Sequence, residues 1–421
     1  MRVVILTHGT RGDVQPYVAL AKALLEAGHE ALLGAPASAA ALAEPHGVPF
    51  APIVDEMNAF VEQPRVRHAM ETNFRGLSGK RMAVELMLAS RPAMIRCLAE
   101  MAEVAADGAD VVVHMPGVPV HHVAEKMGVP AVPGALQPGW VPTGAFPNPS
   151  LPFTPPRALN RASYAPAQAF ARILARYGDR LRSDLGLPGR PGSRDILRRP
   201  DGGPTTVLQG FSRHMLPAAD PGYPPTVHTT GFWFLPAAPD WSPPAELEEF
   251  LAAGDPPVYI GFGSMVGFDP QKAGRIVTEA VRRAGVRAVL AGGWGGISLD
   301  RTTGEDIHLI DQAPHDWLFP RMAAVVHHGG SGTTGAALAS GRPQVICPFL
   351  ADQPFWAARA HAVGVAAPPQ RGRDLSPEGL AEAIGQAATD PGMRVRAEEM
   401  GAKVRAEDGA RAAVKVLETL V

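Results

Sequence analysis

Residues 325–350 read VVHHGGSGTTGAALASGRPQVICPFL, and chemistry-bearing side chains crowd there more densely than elsewhere in the chain. The pattern predicts a buried strand, a glycine-rich turn, a helix of small residues and a second strand. Gly329, Gly330 and Gly332 let backbone N–H groups approach an anion closely. The helix that the turn opens points the positive end of its dipole at the same place, which suits phosphate oxygens. His327, His328, Ser331, Thr333 and Thr334 add side-chain donors that an ordinary strand-to-helix turn does not need. The chemistry predicted is a diphosphate cradle, with a plain α/β connection left open as the other reading of this segment alone.

The elements that must hold this turn alternate along the whole chain. An apolar run at 3–7 is followed by GTRGDVQP, and Tyr17, Val18, Leu20, Ala21, Leu24 and Leu25 then recur at helical spacing until Gly28. Similar units follow at 29–43, at VPFAPI, and at VVVHM with a helix from about Pro119 to Met127 and then PAVPGAL. After a proline-rich break at about 215–245 come VYIGFGS, VRAVLAGG, HLIDQ, AAVVHH and PQVICPF, each separated by a helix-length segment. Strands alternating with helices predict an α/β fold of two Rossmann-like, doubly wound parallel sheets facing across a cleft. The expected boundaries are 1–235 for the first domain, 240–400 for the second, and a C-terminal helix in 401–421 that crosses back to the first.

Composition limits what such a chain can do. At 421 residues it is too long for one comfortable core. A net charge of −2 supplies no global basic field, so neither nucleic acid nor an anionic membrane is an expected partner, and any anion site is local. No apolar run reaches membrane-spanning length and no secretory leader opens the chain, which predicts a cytoplasmic protein without a stable membrane anchor. Cys97 and Cys347 both fall in apolar segments and read as free thiols, a single disulfide being the less favoured reading. The helical stretch between about 55 and 105 carries Met57, Met70, Met82, Met87, Met94 and Met101, which reads as adaptable core packing or as the wall of an apolar acceptor pocket. Trp140 and Phe146, in the proline-rich run 136–156, read as a pocket edge.

Ligands of doubly wound sheets bind beyond the carboxyl ends of the strands, where 8–13, 263–264, 292–296, 312–316, 327–334 and 348–356 would converge. Over nearly its whole length the sequence resembles the GT-B nucleotide-sugar glycosyltransferases of the UDP-glycosyltransferase superfamily, in the branch holding sterol glucosyltransferases and the enzymes that decorate glycopeptide antibiotics. The opening ILTHGTRGDVQPYVALAKALLEAGHE carries the G-T/S-R-G-D-x-x-P start of that branch, and 311–365 carries its donor-binding signature in order and spacing.

The resemblance implies roles residue by residue. Asp13 stands where the larger family has a catalytic histidine and would be the general base, its pKa raised by a dry site. Read without the family, Asp13 is a helix N-terminal carboxylate that satisfies orphan N–H groups. His8 is a weaker candidate for assisting catalysis or binding phosphate. His328, Ser331, Gly332, Thr333 and Ser264 would hold the donor diphosphate, stabilising charge that grows on the leaving group. Trp294, Gln312 and Ala313 would meet the nucleoside, although Trp294 also reads as a surface aromatic. Asp352 and Gln353 would bind the donor sugar's hydroxyls, and Met57, Met82, Trp140 and Phe146 an apolar acceptor. No D-x-D motif or metal-ligand spacing is present, so metal independence is expected. An inverting transfer from a UDP- or TDP-hexose, with no cofactor beyond that co-substrate, is what the resemblance implies. A nicotinamide-dependent dehydrogenase is disfavoured because GFGSMV lacks the third glycine of its fingerprint, and an α/β-hydrolase because Thr333 stands where a nucleophile elbow needs glycine. A nucleotide-sugar epimerase of the same architecture and a non-catalytic helper protein are the remaining alternatives.

Overall fold

The computed structural model describes residues 1–63, 66, 76–151, 153–190, 192–263, 270–292 and 305–421. They divide into two units, Met1–Leu235 with Glu407–Val421, and Pro236–Ala406. Among these residues the first unit holds seven parallel strands: β1 (Arg2–Leu6), β2 (Glu30–Pro36), β3 (Phe50–Ile53), β4 (Val111–His114), β5 (Ala131–Ala135), β6 (Val207–Gln209) and β7 (Val227–Thr229). Their order is β3-β2-β1-β4-β5-β6-β7. The second holds β8 (Val258–Gly261), β9 (Ala288–Ala291), β10 (Ile307–Ile310), β11 (Ala324–His327) and β12 (Gln344–Ile346), ordered β10-β9-β8-β11-β12.

The central strands of each sheet are buried on both faces, which is why they read as unbroken apolar runs. Along β1, Val3 and Ile5 join one cluster under the helices Arg11–Glu26 and Gly409–Glu418. Val4 and Leu6 join another, with Cys97, Leu98 and Met101 of helix Gly76–Val104. Along β8, Val258 and Ile260 pack with Val277 and Val281 of helix Pro270–Ala284. Tyr259 instead faces Leu318 and Phe319. The period-2 pleat alone distributes these side chains between layers. Cys97 and Cys347 are free, fully buried thiols. No helix among the described residues is long and apolar enough to cross a membrane.

Two expectations change in detail. The proline-rich segment 215–245 is not all linker, because it contains β7 and the buried Phe232 and Trp233. Trp233 meets Tyr17 edge-on at 5.7 Å between ring centroids and donates its indole N–H to Thr230 Oγ1 at 3.0 Å. The stretch after β2 is not one helix but a 3-10 turn, Ala37–Ala39, a single α turn, Ala40–Ala43, and a second 3-10 turn, Glu44–His46. Its alanines pack, yet Pro45 and Gly47 stop propagation.

Candidate functional site

In the second sheet the chain reverses its order between β8 and β11, so the loops after these two strands lie side by side at the position where doubly wound sheets bind ligands. Gly263 (φ +61°) ends the described part of the loop after β8, and a Cβ placed there would lie 3.5 Å from His328 Cε1. After β11 the chain turns through Gly329 (φ +93°), where a Cβ would come within 2.8 Å of Ile346 Cγ2. Any larger residue would therefore be strained in backbone and crowded in space. At Gly330 a Cβ would lie 2.6 Å from His328 Nε2, so the imidazole fills the space that a side chain would need.

Helix Ser331–Ser340 starts directly from this turn. Its N-cap, Gly330, makes no side-chain capping bond, and no acidic residue occupies the first turn. The positive end of the helix dipole therefore meets no carboxylate of its own first turn. Ser331 and Thr333 are half-buried and Gly332 is exposed there. His328 Nδ1 and Thr334 Oγ1 are buried without a partner among the described residues. Buried polar atoms are nearly always paired, so these two call for an explanation. Burial pulls the His328 imidazole down to about 4, so it is neutral at physiological pH.

The loop after β12 carries Asp352 and Gln353. Ala351 has φ +55°, uncommon for a residue with a Cβ, and marks a constrained bend at this loop. Gln353 is buried, and its Oε1 accepts from the N–H groups of Phe349 (2.8 Å) and Leu350 (3.2 Å). Asp352 is half-buried and takes the indole N–H of Trp356 on Oδ2 at 2.7 Å. Both side chains thus also hold the loop, a duty that the sequence reading did not foresee. Gln312 is exposed and Ala313 half-buried in the loop after β10. Ser264, Trp294 and Met70 lie outside the described residues.

In the first unit, Asp13 lies in the first turn of helix Arg11–Glu26, beyond the carboxyl end of β1. Its Oδ2 accepts from Thr10 N (2.9 Å) and from Thr10 Oγ1 (3.0 Å). This is the cap foreseen from the bland reading of the residue, and it occupies one oxygen only. Gly9 (φ +122°) makes room, since a Cβ there would sit 2.5 Å from Asp13 Oδ2. Burial pushes the Asp13 carboxyl above its ordinary range, and the two Thr10 hydrogen bonds draw it part of the way back. His8 is buried, and burial lowers its pKa, with the Val54 backbone and Asp55 acting in the opposite direction.

The apolar candidates separate. Met57 and Met82 are half-buried, whereas Met101 is fully buried and Met87 and Met94 pack against its cluster, as core side chains do. Trp140 is half-buried, but Phe146 is only 2% exposed and belongs to the interior of its loop. That loop is tied down by Asn148 N to Ser163 Oγ (2.8 Å) and Asn160 Nδ2 to Gly144 O (3.0 Å), while its Phe153 stays 64% exposed.

Residues 3–131 match the glycosyltransferase family 28 N-terminal domain, and residues 297–420 match the C-terminal domain of erythromycin biosynthesis protein CIII-like proteins. The chain is 36% identical to O-mycaminosyltylonolide 6-deoxyallosyltransferase of Streptomyces fradiae, over 99% of this chain and 97% of that enzyme. The chain belongs to the UDP-glycosyltransferase superfamily. Another superfamily relative, a sterol 3-beta-glucosyltransferase of Arabidopsis thaliana, is 34% identical over 99% of this chain, which spans 65% of the plant protein's length. The crystal structure of the glycotransferase of kitacinnamycin covers 100% of the chain at a TM-score of 0.72 and 19% identity, covering 98% of that structure. The fold is the superfamily's GT-B fold.

Proposed function

We propose that the protein transfers a hexose from a UDP- or TDP-sugar to a hydroxyl group of a hydrophobic natural-product acceptor, of macrolide, polyketide or sterol type. The observation that carries the donor half of this reading is the uncapped start of helix Ser331–Ser340, reached through a glycine turn packed over His328. A nucleoside diphosphate would give its oxygens to the N–H groups of 331–333, the hydroxyls of Ser331 and Thr333, and His328. Ser264 would complete this set. These donors and the helix dipole would stabilise the charge gathering on the departing diphosphate, the task a cation performs in other transferases. Asp352 and Gln353 would read the sugar's hydroxyls, and Trp294 with 312–313 the nucleoside.

The acceptor half rests on Asp13. With one oxygen held by Thr10, Oδ1 takes the acceptor proton while the acceptor oxygen attacks the anomeric carbon, the bond to the diphosphate oxygen breaks, and a single displacement inverts the centre. The acceptor class is supported by the Streptomyces fradiae and Arabidopsis thaliana relatives, whose names give a macrolide and a sterol respectively. Half-buried Met57, Met82 and Trp140 and exposed Phe153 supply apolar surface of the matching kind.

The test is thermal stabilisation by UDP, TDP, GDP and NAD in EDTA and then with magnesium, followed by an acceptor screen of macrolactones and sterols with the favoured donor. Selective binding raises the melting temperature by mass action. A rise with UDP or TDP in EDTA supports the reading, and a rise with NAD alone ends it.

A further inference from the structure

Of the two adjacent histidines, the one turned away from the candidate diphosphate has the better-defined hydrogen bonds. His327 is the last residue of β11 and is fully buried. Its Nδ1 lies 3.0 Å from the backbone nitrogen of Gly329, and its Nε2 lies 2.9 Å from Gln344 Oε1 on the neighbouring strand. An amide N–H can only donate, so Nδ1 must carry the lone pair. In a neutral imidazole the proton is then on Nε2, and Gln344 must present its oxygen and not its NH2. The two contacts therefore fix tautomer, ring orientation and amide orientation together. Protonation would place a second hydrogen at Nδ1 against the Gly329 N–H, so the turn tolerates only the neutral ring.

The contact matters because of where Gly329 stands. It is buried, has φ +93°, and starts the turn that places Gly330 over His328 and opens helix Ser331–Ser340. Its N–H is spent on His327 and is not available to an anion.

We propose that His327 is a positioning residue of the donor site: by accepting the Gly329 N–H while anchored to Gln344, it sets the path of the glycine turn from which His328 and the helix start bind the diphosphate. This rests on the nucleotide-sugar reading of that turn.

The experiment compares UDP and TDP affinity, by calorimetry, of the wild type, His327→Asn and His327→Val. The oxygen of asparagine can accept the N–H two residues on, as in an Asx-turn, so His327→Asn is expected to keep affinity within about threefold. Valine leaves the N–H unpaired, and affinity is expected to fall about tenfold or more. Asparagine as weak as valine, or valine as strong as wild type, overturns the proposal, because a space-filling ring would favour the apolar residue. Histidine-selective 15N spectra of the nucleotide-free protein form the second arm. A signal with protonated Nε2 and bare Nδ1, lost in both variants, is expected. Its absence overturns the His327–Gly329 contact by itself, whereas a correct spectrum from a protein that binds neither nucleotide locates the failure in the donor reading.

Discussion

Thr10 engages Asp13 through a single carboxylate oxygen: its backbone N–H and its hydroxyl reach Oδ2 at 2.9 Å and 3.0 Å, and Oδ1 receives neither. The cap therefore leaves Oδ1 for the base chemistry proposed for this side chain. The bond that steadies the carboxylate also restrains its pKa, which burial alone would carry higher.

Asp13→Asn keeps an oxygen for the Thr10 N–H and removes the base. Turnover is expected to fall about a hundredfold or more, with nucleoside diphosphate affinity unchanged by calorimetry. A folded-state pKa raised above the unfolded value contributes stability fully present below the unfolded pKa and lost as pH rises through the folded one. Ionised Asp13 therefore costs stability at neutral pH, and Asp13→Asn should melt no lower than wild type at pH 7. A marked drop in melting temperature would show that the cap needs the charge.

The same relationship predicts a pH profile. A base must be ionised, so kcat/KM should decline as pH falls through the raised Asp13 pKa. Thr10→Val deletes the hydroxyl hydrogen bond that lowers this pKa, and the acid limb should then move to higher pH. An unmoved limb would assign the ionisation to another group.

His328→Ala should act on binding and turnover together. Loss of a ligand-facing donor is expected to weaken UDP or TDP binding about tenfold and to shrink the nucleotide-induced rise in melting temperature. Gly330→Ala approaches the same imidazole from the other side, since its Cβ would sit 2.6 Å from Nε2, and should reproduce the binding loss without touching a donor side chain. Unchanged calorimetric affinity in both variants would remove His328 from the phosphate site.

Away from the site, Glu125 is clasped by Arg182 (2.7 Å and 3.0 Å) and Arg190 (3.1 Å and 3.0 Å), with only 11% of its side chain exposed. Burial would raise its pKa, but hydrogen bonds from Arg182 and Arg190 outweigh burial and hold it at about 2. Removing the carboxylate strands a buried guanidinium, so Glu125→Ala should cost about 3–5 kcal/mol in denaturant unfolding. A depressed carboxylate pKa gives stability present above the unfolded value, about 4.3, and lost as pH falls toward 2. Glu125→Ala should accordingly lose less stability than wild type across that acid window.

Long apolar strands and the glycine signature were legible in the sequence because burial on both sheet faces writes itself as uninterrupted Val, Ile and Ala runs. β6 and β7 were not, since three residues among prolines carry no period, and their place in the sheet is supplied by tertiary partners such as Tyr17 against Trp233. At the site, the sequence marked two histidines but could not say that their rings are held differently. The difference is the chain's departure from the strand after His327, whose ring meets Gln344 seventeen residues on, while that of His328 comes to lie beneath Gly330. The duty of Gln353 in holding 349–350 was hidden for a similar reason, because a glutamine's partner in a loop leaves no spacing to read.

Helix Gly409–Glu418 packs into the first unit so closely that a Cβ on Gly409 would lie 2.5 Å from the Gly231 carbonyl, and Pro236–Ala406 is threaded between the two segments of that unit. During synthesis the ribosome therefore delivers all of the second unit before it delivers the last piece of the first. The first sheet must wait, with the Ala413, Val414 and Leu417 side of its layer uncovered, until translation has passed residue 418. The unit whose strands are made first is completed last, and a chain ending at residue 406 holds every residue of the second unit while the first still lacks its last helix.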